Sequence, residues 1–145
     1  MLIAPGNPLQ IRDLSDLTRA DVNFINRKRG SGTRLWLDQQ LGQLGIKPSQ
    51  IQGYTNEVST HSQVADVISQ GKTDVGLAVL AAAQKFGLDF IPLFEERFDL
   101  VIPEENFHSK LLLPALEQLH TGEFRNAVQG LGGYDPQETG NIIRV

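Results

Sequence analysis

The stretch Asn26-Arg27-Lys28-Arg29-Gly30-Ser31-Gly32-Thr33-Arg34 decides how this chain is read. It follows the apolar run Val22-Asn23-Phe24-Ile25, which predicts a strand. It precedes Leu35-Trp36-Leu37-Asp38-Gln39-Gln40-Leu41, which predicts a helix. A loop of Gly, Ser and Thr, flanked by positive charge, therefore feeds a helix start. Such a junction suits an anion. Unpaired backbone N–H groups point outward, the helix dipole adds partial positive charge, and hydroxyls donate hydrogen bonds. A plainer reading stands beside it, because Ser and Thr cap helices generally and Gly makes turns.

Outward from this junction the chain alternates strand and helix patterns. Met1 to Ala4 predicts a short strand closed by Pro5-Gly6-Asn7-Pro8, and Ser15 to Thr18 a short helix. The first long helix spans about Thr33 to Leu44, with Leu35, Trp36, Leu37, Leu41 and Leu44 as its apolar face. Gly45 and Pro48 stop it. A short turn over Pro48 to Ile51 leads to Gly53-Tyr54-Thr55-Asn56-Glu57-Val58. A second helix runs from Ser59-Thr60-His61-Ser62 to about Gln70, with Val64, Val67 and Ile68 inward. Thr73 to Val79 predicts a buried strand with a close-approach glycine at Gly76. Leu80 to Phe86 predicts an Ala-rich helix, and Leu88 to Leu93 a strand. Phe98 to Pro103 predicts a further strand. Lys110 to Leu119 and Gly122 to about Leu131 predict helices, and a turn-rich tail follows. This alternation is the pattern of an α/β fold.

The junction Val58-Ser59-Thr60-His61-Ser62 has the same design as the first. If the two preceding strands are adjacent and parallel, both helix starts lie at the same sheet edge, where open α/β sheets bind ligands. Two dipoles and several hydroxyls converging there suit a compact oxyanion. Plain capping by Ser59 or Thr60 accounts for the second junction taken alone. The candidate ligand-binding residues are Arg29, Gly30, Ser31, Gly32, Thr33, Arg34, Ser59, Thr60 and His61.

Other chemistries find little support. The Gly30–Thr33 loop has neither P-loop nor dinucleotide-fingerprint spacing. His61, His108 and His120 lack ligand spacing, and there is no cysteine for a thiolate site, a disulfide or a nucleophile. No Gly-x-Ser-x-Gly elbow exists, and the neighbouring acids Glu95-Glu96 and Glu104-Glu105 read as solvated. Trp36 reads as core. With 145 residues, 40% hydrophobic and 21% charged, the chain is ordinary for one globular domain. A net charge of −4 argues against a general nucleic-acid surface, and the basic triplet Arg27-Lys28-Arg29 is weak support for one. Met1-Leu2-Ile3-Ala4-Pro5-Gly6 is too short an apolar run for a signal peptide, and no run reaches membrane-spanning length. The expectation is a cytoplasmic, non-enzymatic protein without metal or cofactor.

The order of motifs is specific. The two junctions are followed by Gly71-Lys72-Thr73-Asp74-Val75-Gly76-Leu77 and Leu88-Asp89-Phe90-Ile91-Pro92-Leu93. Then come Glu95-Glu96-Arg97-Phe98-Asp99-Leu100-Val101-Ile102-Pro103 and Leu131-Gly132-Gly133-Tyr134-Asp135 with Glu138-Thr139-Gly140. This set, covering nearly all the chain, resembles the periplasmic-binding-protein-like (type 2) domain related to molybdate-binding proteins. In that family the domain is often joined to a helix-turn-helix domain or to a MoeA-type molybdopterin-biosynthesis domain.

The resemblance implies a three-layer lobe with a mixed, mostly parallel sheet flanked by helices. Residues 1–8 and 98–103 would be crossover strands, 9–97 the second lobe, and 104–145 the C-terminal helices and tail. Most of the first lobe would be absent. It also implies a ligand, molybdate or tungstate, bound without catalysis. Related periplasmic molybdate binders place a Tyr hydroxyl just after the strand matching Asp74 to Val79. Here Val79, Leu80 and Ala81 stand there, and Tyr134 is the candidate substitute. A missing lobe exposes apolar surface and sheet edges. The expected partners are therefore a second copy of the chain or a separate chain supplying that lobe. The competing expectation is a truncated regulatory module that dimerises without ligand.

Overall fold

The computed structural model describes residues 1–144. The chain divides into two compact units, Met1–Phe94 and the residues from Glu95 onward.

The first unit is built on a five-stranded sheet with order β3-β2-β4-β1-β5. Its strands are β1 (Leu2–Ile3), β2 (Phe24–Arg27), β3 (Glu57–Val58), β4 (Val75–Gly76) and β5 (Asp89–Phe90). β2 pairs in parallel with both β3 and β4, whereas β1 runs antiparallel to β4 and β5. Every strand but β1 thus points the same way. Three helices link them: α1 (Gly32–Gln43) after β2, α2 (His61–Ser69) after β3, and α3 (Leu80–Phe86) after β4. All three start at the carboxyl ends of their strands. The sheet is mixed and mostly parallel, in an α/β fold as expected.

The period of two along a strand sends neighbouring side chains to opposite faces. Ile3, Phe24 and Val75 join Leu37 and Leu41 of α1, and Leu14 and Leu17 of the 3-10 turn Leu14–Thr18, in one core layer. Leu2 and Ile25 join Val64, Ala65 and Ile68 of α2 and Ala82 and Ala83 of α3 in the other. The result is helix, sheet, helix. Burying a side chain such as Phe24 or Leu41 contributes about 2 kcal/mol. Gly76 sits where the layers close most tightly: a Cβ there would lie 2.6 Å from Val64 Cγ1 and 2.9 Å from the Ile25 carbonyl oxygen.

Several expectations are corrected in detail. The second strand is displaced toward the loop and includes Asn26 and Arg27, both buried. Most polar groups in a buried strand are partnered, and Asn26 donates to the Tyr54 carbonyl and accepts from the Arg27 N–H. Leu35 and Leu44 do not belong to the buried face of α1. Leu35 precedes Leu37 by roughly 200° of helical rotation, and Leu44 is already the C-cap. On α2, Ala65 rather than Val67 completes the buried stripe. The strands Val75–Gly76 and Asp89–Phe90 are shorter than their apolar runs.

The second unit contains α4 (Glu104–Phe107), α5 (Leu113–Leu119) and α6 (Gly122–Gly130). Sequence reading missed α4. It also began α5 too early, because Pro114 is tolerated only in a first turn. Phe98–Pro103, expected as the return crossover strand, pairs with nothing among the described residues. β-rich composition makes a strand only where a neighbour completes the ladder. Glu95, Glu96, Glu104 and Glu105 are exposed.

Candidate functional site

The parallel register pairs Asn26 with Glu57 and Arg27 with Val58. The two glycine- and hydroxyl-bearing junctions therefore leave the sheet side by side. Gly30, at φ +85°, takes the left-handed turn that aims the loop into α1, a conformation open to few residues with a side chain. Ser31 caps α1 by accepting from the Arg34 N–H at 3.3 Å. Thr60 caps α2 by accepting from the Gln63 N–H at 3.1 Å, and Gln63 Oε1 accepts in return from the N–H groups of Ser59 and Thr60. Each cap satisfies the third N–H of its helix. The first two, on Gly32 and Thr33 and on His61 and Ser62, have no intrahelical acceptor. The donors offered at these two starts are those amides and the hydroxyls of Thr33, Ser59 and Ser62.

The charge of Arg34 is engaged by two carboxylates. Its side chain is buried, with Nε 2.8 Å from Asp38 Oδ1 and Nη1 3.1 Å from Glu57 Oε1. Its guanidinium also lies 4.2 Å from the centre of the Tyr54 ring, and the Tyr54 hydroxyl donates to Asp38. The reason is local: one helical turn separates Arg34 from Asp38, and β3 brings Glu57 alongside. Arg29 remains exposed, 4.0 Å from Glu57. A shallow groove of about 620 Å³ runs from Gly30 past Arg34 to Asp38 and Tyr54, and its lining includes neither Thr60 nor His61.

Arg27 is buried, and His61 lies half-buried against it. Arg27 continues the face of Ile25, toward α2. Its Nη1 lies 2.7 Å from Nδ1 of His61, and its Nη2 donates to the Ser59 carbonyl at 3.0 Å. Burial and the neighbouring Arg27 charge push the His61 imidazole down to about 4, so it is neutral at physiological pH. Burial also lowers Arg27, yet an arginine stays protonated. Sequence reading left Arg27 out of the site. The available signal was a charged residue two positions beyond Ile25, on the same strand face.

The structure therefore brings together Gly30, Ser31, Gly32, Thr33, Ser59, Thr60 and His61, with Arg29 at the rim. Tyr134 belongs to the second unit, on the turn-rich stretch after α6, and is exposed. Trp36, read as core, packs partly buried and stacks on Phe94 with ring centres 3.9 Å apart. Among the described residues no group of three or more His, Asp or Glu side chains is placed to hold a metal ion. Among them, too, no helix is long and apolar enough to cross a membrane.

A family profile described as a PBP superfamily domain matches residues 1–120. The chain belongs to this periplasmic-binding-protein-like family. Such PBP-like domains are binding modules and generally not enzymes. The PBP-like chain is 38% identical over 143 residues to the uncharacterised protein YvgK of Bacillus subtilis (strain 168), covering 99% of this chain and 46% of that protein. It thus spans about half the length of that relative. It is also 36% identical over 112 residues to an uncharacterised protein of Clostridium pasteurianum, described as lying in the 5′ region of a 2Fe-2S ferredoxin gene. That match covers 74% of this chain and 96% of the relative. No solved structure matches the chain.

Proposed function

We propose that this PBP-like domain binds a small tetrahedral oxyanion, molybdate or tungstate, without catalysis. The role would be in sensing or in supply for molybdenum-cofactor synthesis. One observation carries the reading: the parallel register of Arg27 with Val58 sets two capped helix starts side by side, each with two unpaired N–H groups. Neutral donors of this kind match a dianion by hydrogen bonding and helix dipole. Gly32, Thr33, Ser59, His61 and Ser62 would supply the donors, and Arg29 the surrounding positive potential. A second copy or separate chain would complete the ligand shell, in a cytoplasmic protein.

Calorimetric titration with molybdate, tungstate, sulfate and phosphate is the direct experiment. Molybdate or tungstate should bind in preference to the other two. A ligand at 100 times its dissociation constant should also add about 2.7 kcal/mol of stability, read as a higher melting temperature. No heat and no thermal shift with any of the four would refute the reading for this chain.

The second reading is a module that associates without ligand. It is favoured by Phe98, Leu100 and Val101, which are exposed on an extended, unpaired segment. Sedimentation at rising protein concentration, with and without molybdate, separates the two readings.

A further inference from the structure

Arg27 is a buried cation with no counter-charge among the described residues. The residue is 8% exposed, and among the described residues no carboxylate lies within ion-pair distance of it. Two of its nitrogens reach His61 and the Ser59 carbonyl, while Nε is buried with no hydrogen-bond partner among the described residues. Glu57, on the next strand, is already held by Arg34 at 3.1 Å and approached by Arg29 at 4.0 Å. A buried charge left uncompensated is strongly destabilising, so such a residue calls for an anion. Arg27 also ends β2 between the starts of α1 and α2, whose free N–H groups add further positive potential.

The bond to His61 has a chemical consequence. A guanidinium donates and never accepts, so Nδ1 of His61 must be the acceptor. The neutral ring then carries its proton on Nε2.

We propose that Arg27 is a positioning residue of the anion site. It holds His61 in the Nε2–H form, making the ring a neutral donor at the start of α2. It also carries the buried positive charge for which a tetrahedral dianion at the two helix starts is the counter-ion. This assignment rests on the oxyanion reading above, but its first half is measurable in the ligand-free protein.

The experiment combines nitrogen-15 NMR of the histidine side chains with calorimetric titration of sodium molybdate, on the full chain at neutral pH. His61→Gln assigns the His61 signals. The wild type should show His61 as the Nε2–H tautomer, and Arg27→Met should turn it into a tautomer mixture. Molybdate affinity should fall by roughly tenfold or more in Arg27→Met, the scale of losing an interaction with a charged group. Arg27→Lys, which keeps the charge and one donor, should restore most of it. A wild-type His61 protonated on Nδ1, or wild-type affinity in Arg27→Met, would overturn the proposal. If Arg27→Met does not fold, the wild-type tautomer and the Arg27→Lys titration decide, a large loss in the latter counting against it. A wild type with the expected tautomer that binds no anion overturns the oxyanion reading and the counter-ion role with it. The opposite tautomer in a wild type that does bind overturns the Arg27 assignment alone.

Discussion

Nη1 of Arg34, on α1, lies 3.1 Å from Oε1 of Glu57, on β3, and this pair ties the first helix to the edge strand beside it. The same guanidinium holds Asp38 and donates to the Arg27 carbonyl at 3.3 Å. Arg34 is thus a structural clamp on the loop that precedes α1.

Arg34→Met should therefore lower stability. It removes the links to Asp38, Glu57 and the Arg27 carbonyl and leaves Asp38 without a cation and Glu57 with Arg29 alone at 4.0 Å, although both acids retain solvent. The expected loss is about 2–3 kcal/mol in urea denaturation. Glu57→Gln, which keeps an acceptor, should cost about 1 kcal/mol.

Gly76→Ala should be worse than its single methyl suggests. The new Cβ would meet Val64 Cγ1 at 2.6 Å and Ile25 Cγ2 at 2.8 Å, with the Ile25 carbonyl behind them. Side chains can shift, but the backbone of β2 cannot yield without disturbing its parallel ladder. An overpacking loss of about 2–3 kcal/mol is expected, visible as a melting temperature lower by several degrees.

Thr60 and Ser59 should separate stability from binding. The Thr60 hydroxyl is occupied as the cap of α2, so Thr60→Ala should cost about 1 kcal/mol of stability. The Ser59 hydroxyl has no such role. Ser59→Ala should leave the denaturation midpoint unchanged and weaken molybdate binding in calorimetry.

Acid should destabilise the fold through His61. Its pKa is pushed down to about 4 by burial and by Arg27, below the ordinary 6.5 that the unfolded chain would show. The unfolded state therefore takes up the proton first. The stability present above 6.5 is lost progressively as pH falls toward 4, and levels off below. His61 is half-exposed, so solvent screening limits the loss to about 2 kcal/mol at most. Comparing urea midpoints of the wild type and His61→Asn from pH 8 to pH 4 isolates this share, since the variant should lack it.

Much of this protein was legible in the sequence because local chemistry was enough. Capping by Ser or Thr at the two helix starts was readable, and so was the helix stop at Gly45. The Ala-rich run over 80–86 and the alternation of strands with helices were equally plain. These features depend on neighbours within a turn or two of chain, so residue type and spacing determined them, along with the α/β class.

Tertiary structure alone decided the rest. Whether Val75–Gly76 and Glu57–Val58 flank β2 in parallel is a long-range pairing, and it puts the two helix starts together. Whether Phe98–Pro103 becomes a strand depends on a ladder partner, which its apolar composition could not supply. Arg34 and Arg27 carry the same charge in the same stretch, yet one is consumed by Asp38 and Glu57 while the other is buried against His61, with no carboxylate partner among the described residues. Only the position of groups distant in sequence tells one arginine from the other, because the energy of a charge is set by what surrounds it in space.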